Sequence, residues 1–123
     1  MTPGRTKRIE IDFSIIEDLA AGDPAAMDEL VAMFVRHTTE GLAKVRAAID
    51  AGDLDGVARA AHTCIGFTAT LGVTGLVPTM RKLERAAQKK RRTDLMRLVA
   101  QWERDFEQAR QALERRKKRL QRP

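Results

Sequence analysis

The chain has 123 residues, of which 43% are hydrophobic and 33% are charged, and this length suffices for one domain with a modest core. Tyrosine is absent, strand formers do not alternate with polar residues, and Ala, Leu, Glu, Arg and Lys predominate, so the composition favours an all-α protein. No apolar run approaches the ~20 residues of a membrane span, and residues 1–10 lack the apolar centre of a secretory signal. We therefore expect a cytoplasmic protein that does not interact with a membrane.

The net charge of +6 is distributed unevenly along the chain. Residues 1–80 contain 7 Lys and Arg against 11 Asp and Glu, a net charge of −4, whereas residues 81–123 have a net charge of +10. A basic segment can attract an acidic protein surface or a nucleic acid, or it can be a solvated helix face. The only tryptophan, Trp102, lies on a predicted core stripe and is not available to stack on bases, which argues against nucleic-acid binding.

The residue types that usually hold metals are too few for a metal site. Cys64 is the only cysteine, so no intramolecular disulfide can form, and His37 and His62 are the only histidines. His37 has no ligand partner at helical spacing. The sequence also contains no Gly-rich phosphate loop and no Ser-His-Asp order. We therefore expect no metal and no cofactor.

Hydrophobic periodicity predicts one short helix and four long ones. The short helix begins after Asp12 or Ser14 and ends at Ala20, and the long helices are predicted at 24–50, 53–71, 75–90 and 93–118. Short connections between the long helices predict an antiparallel up-down-up-down four-helix bundle with a short extra N-terminal helix.

Three units are expected along the chain. Residues 13–113 form the bundle, between a flexible N-terminus at 1–12 and a basic C-terminal extension of the last helix at 114–123. In the core, Trp102 and Phe106 are expected to be buried with Phe34 and Leu71, since all four lie on apolar stripes.

The tripeptide Ala-Gly-Asp occurs at 21–23 and again at 51–53, and it predicts two of the helix boundaries. In each copy the glycine suits the left-handed conformation that ends a helix, and the aspartate suits the N-cap of the next helix. Pro24 fits the first position of the helix that follows the first copy. Thr93 is predicted to cap the last helix, after a basic connector at 89–92.

The predicted helix at 53–71 carries the residues of greatest chemical interest. One stripe of this helix should face the core and contains Val57, Ala61, Cys64, Thr68 and Leu71. The neighbouring stripe contains Ala58, His62, Ile65, Gly66 and Ala69. His62 is therefore expected at the border of the core. A glycine inside a helix costs roughly 1 kcal/mol relative to alanine, so Gly66, one turn beyond the histidine, indicates that another molecule approaches closely there.

The pattern Ala-His-Thr-x-x-Gly-x-x-Ala-x-Leu-Gly at 61–72, followed by the Leu-Glu pair at 83–84, resembles the histidine phosphotransfer (HPt) domain. The resemblance extends from about Asp12 to Leu113. It implies a four-helix bundle in which His62 carries a phosphoryl group between receiver-domain aspartates. The implied partner is the receiver domain of a response regulator or of a hybrid histidine kinase. Such a chain is a phosphocarrier and not an enzyme, because Mg²⁺ and the acid–base groups belong to the receiver.

One residue departs from the family pattern, which usually reads His-x-x-Lys-Gly. Ile65 occupies the lysine position, so the positive charge near the phosphoryl group must come from Arg59, Lys82 or Arg85 if it is present. The resemblance suggests that Glu84 orients the imidazole, although Glu84 can also be read as a solvated carboxylate. The predicted docking surface consists of four small or apolar residues, with Ile65 exposed among them: Ala58, Ile65, Gly66 and Ala69.

Two alternatives remain open at this stage. The loss of the lysine at position 65 is compatible with a degenerate HPt-like domain that binds a receiver or kinase without transferring phosphate. The basic last third of the chain is compatible with a helical nucleic-acid-binding protein, which the sequence supports less well.

Overall fold

The computed structural model describes residues 8–121, which form five α-helices and no β-strand. The helices are α1 (Phe13–Ala20), α2 (Pro24–Asp50), α3 (Leu54–Thr70), α4 (Val77–Gln88) and α5 (Arg92–Gln121), with a 3-10 turn at Thr74–Leu76 before α4. This confirms the all-α class. None of the helices in the described part of the chain is long and apolar enough to cross a bilayer.

Helices α2 to α5 form a closed ring in which each helix contacts two neighbours. α3 lies between α2 and α4, and α5 packs against both α4 and α2. Successive helices are joined by short connections and therefore run antiparallel, which confirms the up-down-up-down bundle. The short helix α1 packs against α2 outside this ring.

Large apolar side chains fill the centre of the bundle. Trp102 and Phe34 are fully buried, and Leu71 belongs to the same core cluster. Phe106 is half-buried, and its ring meets the ring of Phe34 edge-on with the centroids 5.5 Å apart. This edge-to-face geometry is one that aromatic pairs prefer. Trp102, Phe34 and Leu71 are therefore buried as expected, whereas Phe106 packs against the core and is only partly buried.

The boundaries of the first three helices follow the predicted capping pattern. The side chains of Asp12, Asp23 and Asp53 accept hydrogen bonds from backbone amides two or three residues later, at 3.1, 3.0 and 2.9 Å. Gly22 and Gly52 adopt the left-handed conformation, with φ of +78° and +70°. Both copies of Ala-Gly-Asp thus end one helix and cap the next.

The start of α5 differs from the prediction that Thr93 caps this helix. The helix already begins at Arg92, and the carbonyl of Arg91 accepts its first hydrogen bond at 3.1 Å, so Thr93 lies inside the first turn. The connector is short because Lys90 adopts a left-handed conformation, with φ of +58°, and the amide of Arg91 donates to the carbonyl of Ala86 at 2.8 Å. These features close α4 and start α5 within a few residues.

The predicted flexible N-terminus at 1–12 lies partly outside the described residues. In the described part, the carbonyl of Glu10 accepts a hydrogen bond from the amide of Gly75 at 2.8 Å. The amide of Asp12 donates to the carbonyl of Gly72, also at 2.8 Å. Two isoleucines of this segment pack against the core. The segment just before α1 is therefore held against the connection between α3 and α4.

The basic end of α5 is continuous with the bundle and remains helical to Gln121. The guanidinium of Arg116 pairs with Glu17 on α1 at 2.5 Å, and the ammonium of Lys117 lies 3.3 Å from Asp28 on α2. The hydrogen bond from Gln121, at 2.9 Å, and the Lys117 ammonium lower the pKa of the Asp28 carboxyl. The C-terminal extension thus contacts α1 and the start of α2.

Gly41 lies in the middle of α2, where this helix contacts α3. A Cβ atom at this position would overlap the Sγ atom of Cys64, which is buried. α2 continues through Gly41 without interruption. The missing side chain therefore lets α2 and α3 approach closely at this level.

We expect Gly41→Ala to lower the free energy of unfolding by about 1–3 kcal/mol, because the added methyl group overpacks the contact with Cys64. Gly66→Ala is the control, since a Cβ at Gly66 meets nothing within 4 Å. That variant should be unchanged or more stable by up to about 1 kcal/mol. Urea denaturation followed by circular dichroism measures both effects. Equal stability of the two variants would contradict the close contact at Gly41.

Candidate functional site

His62 lies on the exposed side of α3, next to the interface with α4. Its side chain is 72% exposed. The preceding residue, Ala61, is fully buried, because one residue along a helix turns the side chain by about 100°. The imidazole thus projects into solvent from a helix that is anchored in the core on its opposite side.

The imidazole is oriented by a carboxylate from the neighbouring helix. Nδ1 of His62 lies 3.0 Å from Oε2 of Glu84 on α4, and the Glu84 side chain is only 18% exposed. A carboxylate accepts hydrogen bonds, so Nδ1 carries the proton in this pair and Nε2 of the neutral ring keeps its lone pair. Glu84 is therefore a bonded, mostly buried carboxylate rather than a freely solvated one.

The surface beside His62 is made of residues with little or no side chain. Gly66 and Ala69 are exposed on the same side of α3, and Ala58 is half-buried. A Cβ at Gly66 would meet nothing within 4 Å, so no internal contact requires glycine there. This contrasts with Gly41, whose missing side chain is explained by packing. The open space above Gly66 is available to another molecule.

Ile65 corrects one of the sequence-based expectations. It was expected to be exposed at the docking surface, but it is only 7% exposed and belongs to the core cluster. The reason is that α3 packs against two helices, α2 and α4, so its buried arc is wider than a single stripe. The side chain of a lysine at this position would have to extend out of the core to bring its ammonium group to solvent.

Arg59 lies on a different side of α3 from the bond between His62 and Glu84. It lines an open groove between α2 and α3, together with Lys44 and Phe67. Glu84 belongs to α4, on the other flank of α3. No hydrogen bond or ion pair joins Arg59 to the imidazole in the described part of the chain. The i, i+3 spacing alone therefore does not bring Arg59 to the ring.

No hydrogen bond or ion pair joins Lys82 or Arg85 to His62 in the described residues either. Both line a cleft between the end of α4 and the start of α5, with Leu98 of α5 on the opposite wall. Their sequence distance to Glu84 is small, but one or two residues along a helix turn a side chain by about 100° or 200°. The three cations proposed from the sequence are thus not brought together around the imidazole.

Arg81 is a cation of α4 that was not among the predicted site residues. It precedes Glu84 by three residues on α4, so the two side chains share a face of this helix. Its side chain is exposed. The i, i+3 spacing to Glu84 was visible in the sequence, but its meaning depends on knowing that Glu84 contacts His62.

Comparisons with known proteins agree with this fold. The profile of the Hpt domain family matches residues 29–112, and the chain therefore belongs to the Hpt domain family. Members of this family have a histidine phosphotransfer role in phosphorelays, where they work with receiver or kinase partners.

A solved structure shows the same fold. The crystal structure of histidine-containing phosphotransfer protein B (HptB) from Pseudomonas aeruginosa PAO1 matches with a TM-score of 0.80 and 24% sequence identity, over 92% of this chain and 98% of that chain. At this level of identity, the similarity shows the fold. No curated protein sequence matches the chain.

We expect Glu84→Ala to change the protonation pattern of the imidazole. Without the carboxylate, the proton of the neutral ring is no longer held on Nδ1, and the Nε2–H tautomer should become the major one, as in free histidine. Glu84→Gln is the control, because its amide oxygen can still accept a hydrogen bond from Nδ1. Nitrogen chemical shifts of His62, measured by ¹⁵N NMR above the titration of the ring, report the tautomer. The same tautomer ratio in the wild type and Glu84→Ala would contradict the orienting role.

Proposed function

We propose that His62 is the phosphoacceptor of this Hpt domain protein. It accepts a phosphoryl group from a receiver-domain aspartate, or from a kinase, and passes it to another receiver. The observation that carries this proposal is the exposed imidazole whose Nδ1 is bonded to the mostly buried Glu84, which leaves Nε2 facing solvent.

The geometry fits nucleophilic attack by Nε2. The Nε2 lone pair forms a bond to the phosphorus of an aspartyl phosphate on the partner, and the bond between phosphorus and the aspartate oxygen breaks. The aspartate leaves as a carboxylate, and the Nδ1 proton of His62 stays where it is. The phosphorylated ring then carries positive charge, which the carboxylate of Glu84 stabilises. The reverse reaction delivers the phosphoryl group to a second receiver.

The remaining chemistry is assigned to the partner. In residues 8–121 no three His, Cys, Asp or Glu side chains come together as a possible metal site. Receiver domains use Mg²⁺ for this reaction, and we infer that the ion and the acidic residues that hold it come with the receiver. This chain then acts as a phosphocarrier that presents one oriented nucleophile.

The docking surface is proposed around Gly66. Gly66 and Ala69 are exposed beside His62, and Ala58 borders them. Small side chains at these positions let a receiver approach the backbone of α3 closely enough for in-line transfer to Nε2. Ile65, being buried, supports this surface from below and does not contact the partner.

A second candidate is a domain that binds its partner without accepting phosphate. The observation in its favour is that the lysine position holds the buried Ile65 and that none of the described bonds joins Arg59, Lys82 or Arg85 to the imidazole. Incubation with phosphorylated receivers separates the two candidates, because only the phosphocarrier gains acid-labile phosphate.

We expect His62→Gln to abolish phosphoryl acceptance and to leave the fold intact, since a 72% exposed position tolerates a polar substitution. Acid-labile phosphohistidine is measured after incubation with phosphorylated receivers, and circular dichroism checks the fold. His37→Gln is the control, because it removes the other histidine. Phosphorylation of the His62→Gln protein would show that another residue is the acceptor.

We expect Gly66→Gln to weaken receiver binding and transfer strongly, because a long side chain would occupy the open space next to His62. Gly66→Ala should retain most of the activity. Neither variant should be less stable than the wild type, since glycine is the poorer helix former. Receiver binding by titration calorimetry and transfer rates distinguish the variants. Wild-type transfer by Gly66→Gln would mean that the receiver approaches from another side.

A further inference from the structure

Phosphoryl transfer to an imidazole is faster when positive charge lies next to the phosphoryl oxygens. These oxygens carry negative charge throughout the reaction, and a fixed cation stabilises them in the transition state. In this chain Ile65 occupies the usual lysine position and is buried. Any cation contributed by this chain must therefore come from a different position.

The cations closest in sequence do not meet this requirement. Arg59 faces the groove between α2 and α3, and Lys82 and Arg85 face the cleft between α4 and α5. The imidazole of His62 lies between these two regions, at the interface of α3 and α4, where it contacts Glu84. A suitable cation has to lie on the face of α4 that carries Glu84.

Arg81 meets this condition. Because α3 and α4 run antiparallel, residues that precede Glu84 on α4 lie beside residues that follow His62 on α3. Three residues correspond to about 4.5 Å along each helix axis. Arg81 therefore lies level with the position after His62 where the family has its lysine, and Gly66 lies next to that position.

The surroundings of Arg81 leave its guanidinium available. Its side chain is exposed. It takes part in none of the ion pairs or side-chain hydrogen bonds found in the described residues, and Glu84 is already bonded to His62. Gly66, one turn beyond His62 on α3, adds no side chain beside the imidazole, and a Cβ there would meet nothing within 4 Å.

We propose that Arg81 contacts the phosphoryl group on His62 and replaces the positive charge of the missing lysine. This inference rests on His62 being the phosphoacceptor. The planar guanidinium can donate two parallel hydrogen bonds to two phosphoryl oxygens, which an ammonium group cannot do in the same geometry. The charge thus comes from α4, the helix that also supplies Glu84, instead of from α3.

The first test needs no receiver. The chain is phosphorylated with the small phosphodonor phosphoramidate, and the phosphoryl group on His62 is titrated by ³¹P NMR. A nearby cation favours the doubly charged phosphoryl group, so Arg81→Gln should raise the titration midpoint by about 1 unit. Lys82→Gln is the control and should leave the midpoint unchanged, because Lys82 is exposed, lines the cleft between α4 and α5, and lies about 200° around the helix from Glu84.

The second test measures single-turnover transfer from a phosphorylated receiver at increasing receiver concentrations. Arg81→Gln should lower the maximal rate by about tenfold or more, as expected for one charge-assisted contact, with little change in the half-saturating concentration. Arg81→Lys should recover part of the rate, and Lys82→Gln should match the wild type.

Several outcomes would overturn the inference. An unchanged ³¹P midpoint and rate in Arg81→Gln would exclude the contact, and a loss in Arg59→Gln instead would assign the charge to Arg59. A change limited to the half-saturating concentration would make Arg81 a docking residue only. In these cases the wild type is still phosphorylated on His62. A wild type that takes up phosphate from neither donor would overturn the proposed function, and this inference with it.

Discussion

The site depends on one hydrogen bond between two helices, from Nδ1 of His62 on α3 to Glu84 on α4. The two residues are 22 positions apart in the sequence, so the bond forms only if the two helices pack in one register. The connection between the helices sets this register. The amide of Val73 donates to the carbonyl of Thr68 at 3.1 Å and ends α3, and the segment before α1 bonds to the same connection. A change in this packing would leave the imidazole exposed but without a fixed orientation.

Because α3 lies between two neighbouring helices, only part of its surface is exposed to solvent. Packing against both α2 and α4 buries a wide arc that includes Cys64 on one flank and Ile65 on the other. The exposed arc that remains is narrow and carries His62 together with Gly66, which no internal contact requires to be glycine.

Much of the fold could be predicted from the sequence, because its signals are local. Asp23 and Asp53 cap helices through contacts within three residues, and the apolar stripes give the core without knowledge of the topology. The environment of His62 was harder to predict. Helical spacing gives the angle between Ile65 and His62, but it does not show where a neighbouring helix begins to cover the surface, so Ile65 was expected to be exposed. For the same reason Lys82 was expected near the imidazole, although it lines the cleft between α4 and α5.

The packing of the helices also changes how the uneven charge distribution of the sequence should be interpreted. The sequence places a net charge of +10 in residues 81–123, which suggests a strongly basic surface. In the bundle, part of this charge is paired with acidic residues on other helices. Arg116 pairs with Glu17 and Lys117 with Asp28, while Glu103 of α5 pairs with Arg46 of α2. These ion pairs tie α5 to α1 and α2, so the basic end of the helix acts within the domain. At His62 the negative charge of Glu84 is bonded to the imidazole, and the exposed Arg81 lies three residues from Glu84 on the same helix. Under the proposed function, a receiver would meet both the small residues Gly66 and Ala69 and the cations of α4 at this surface.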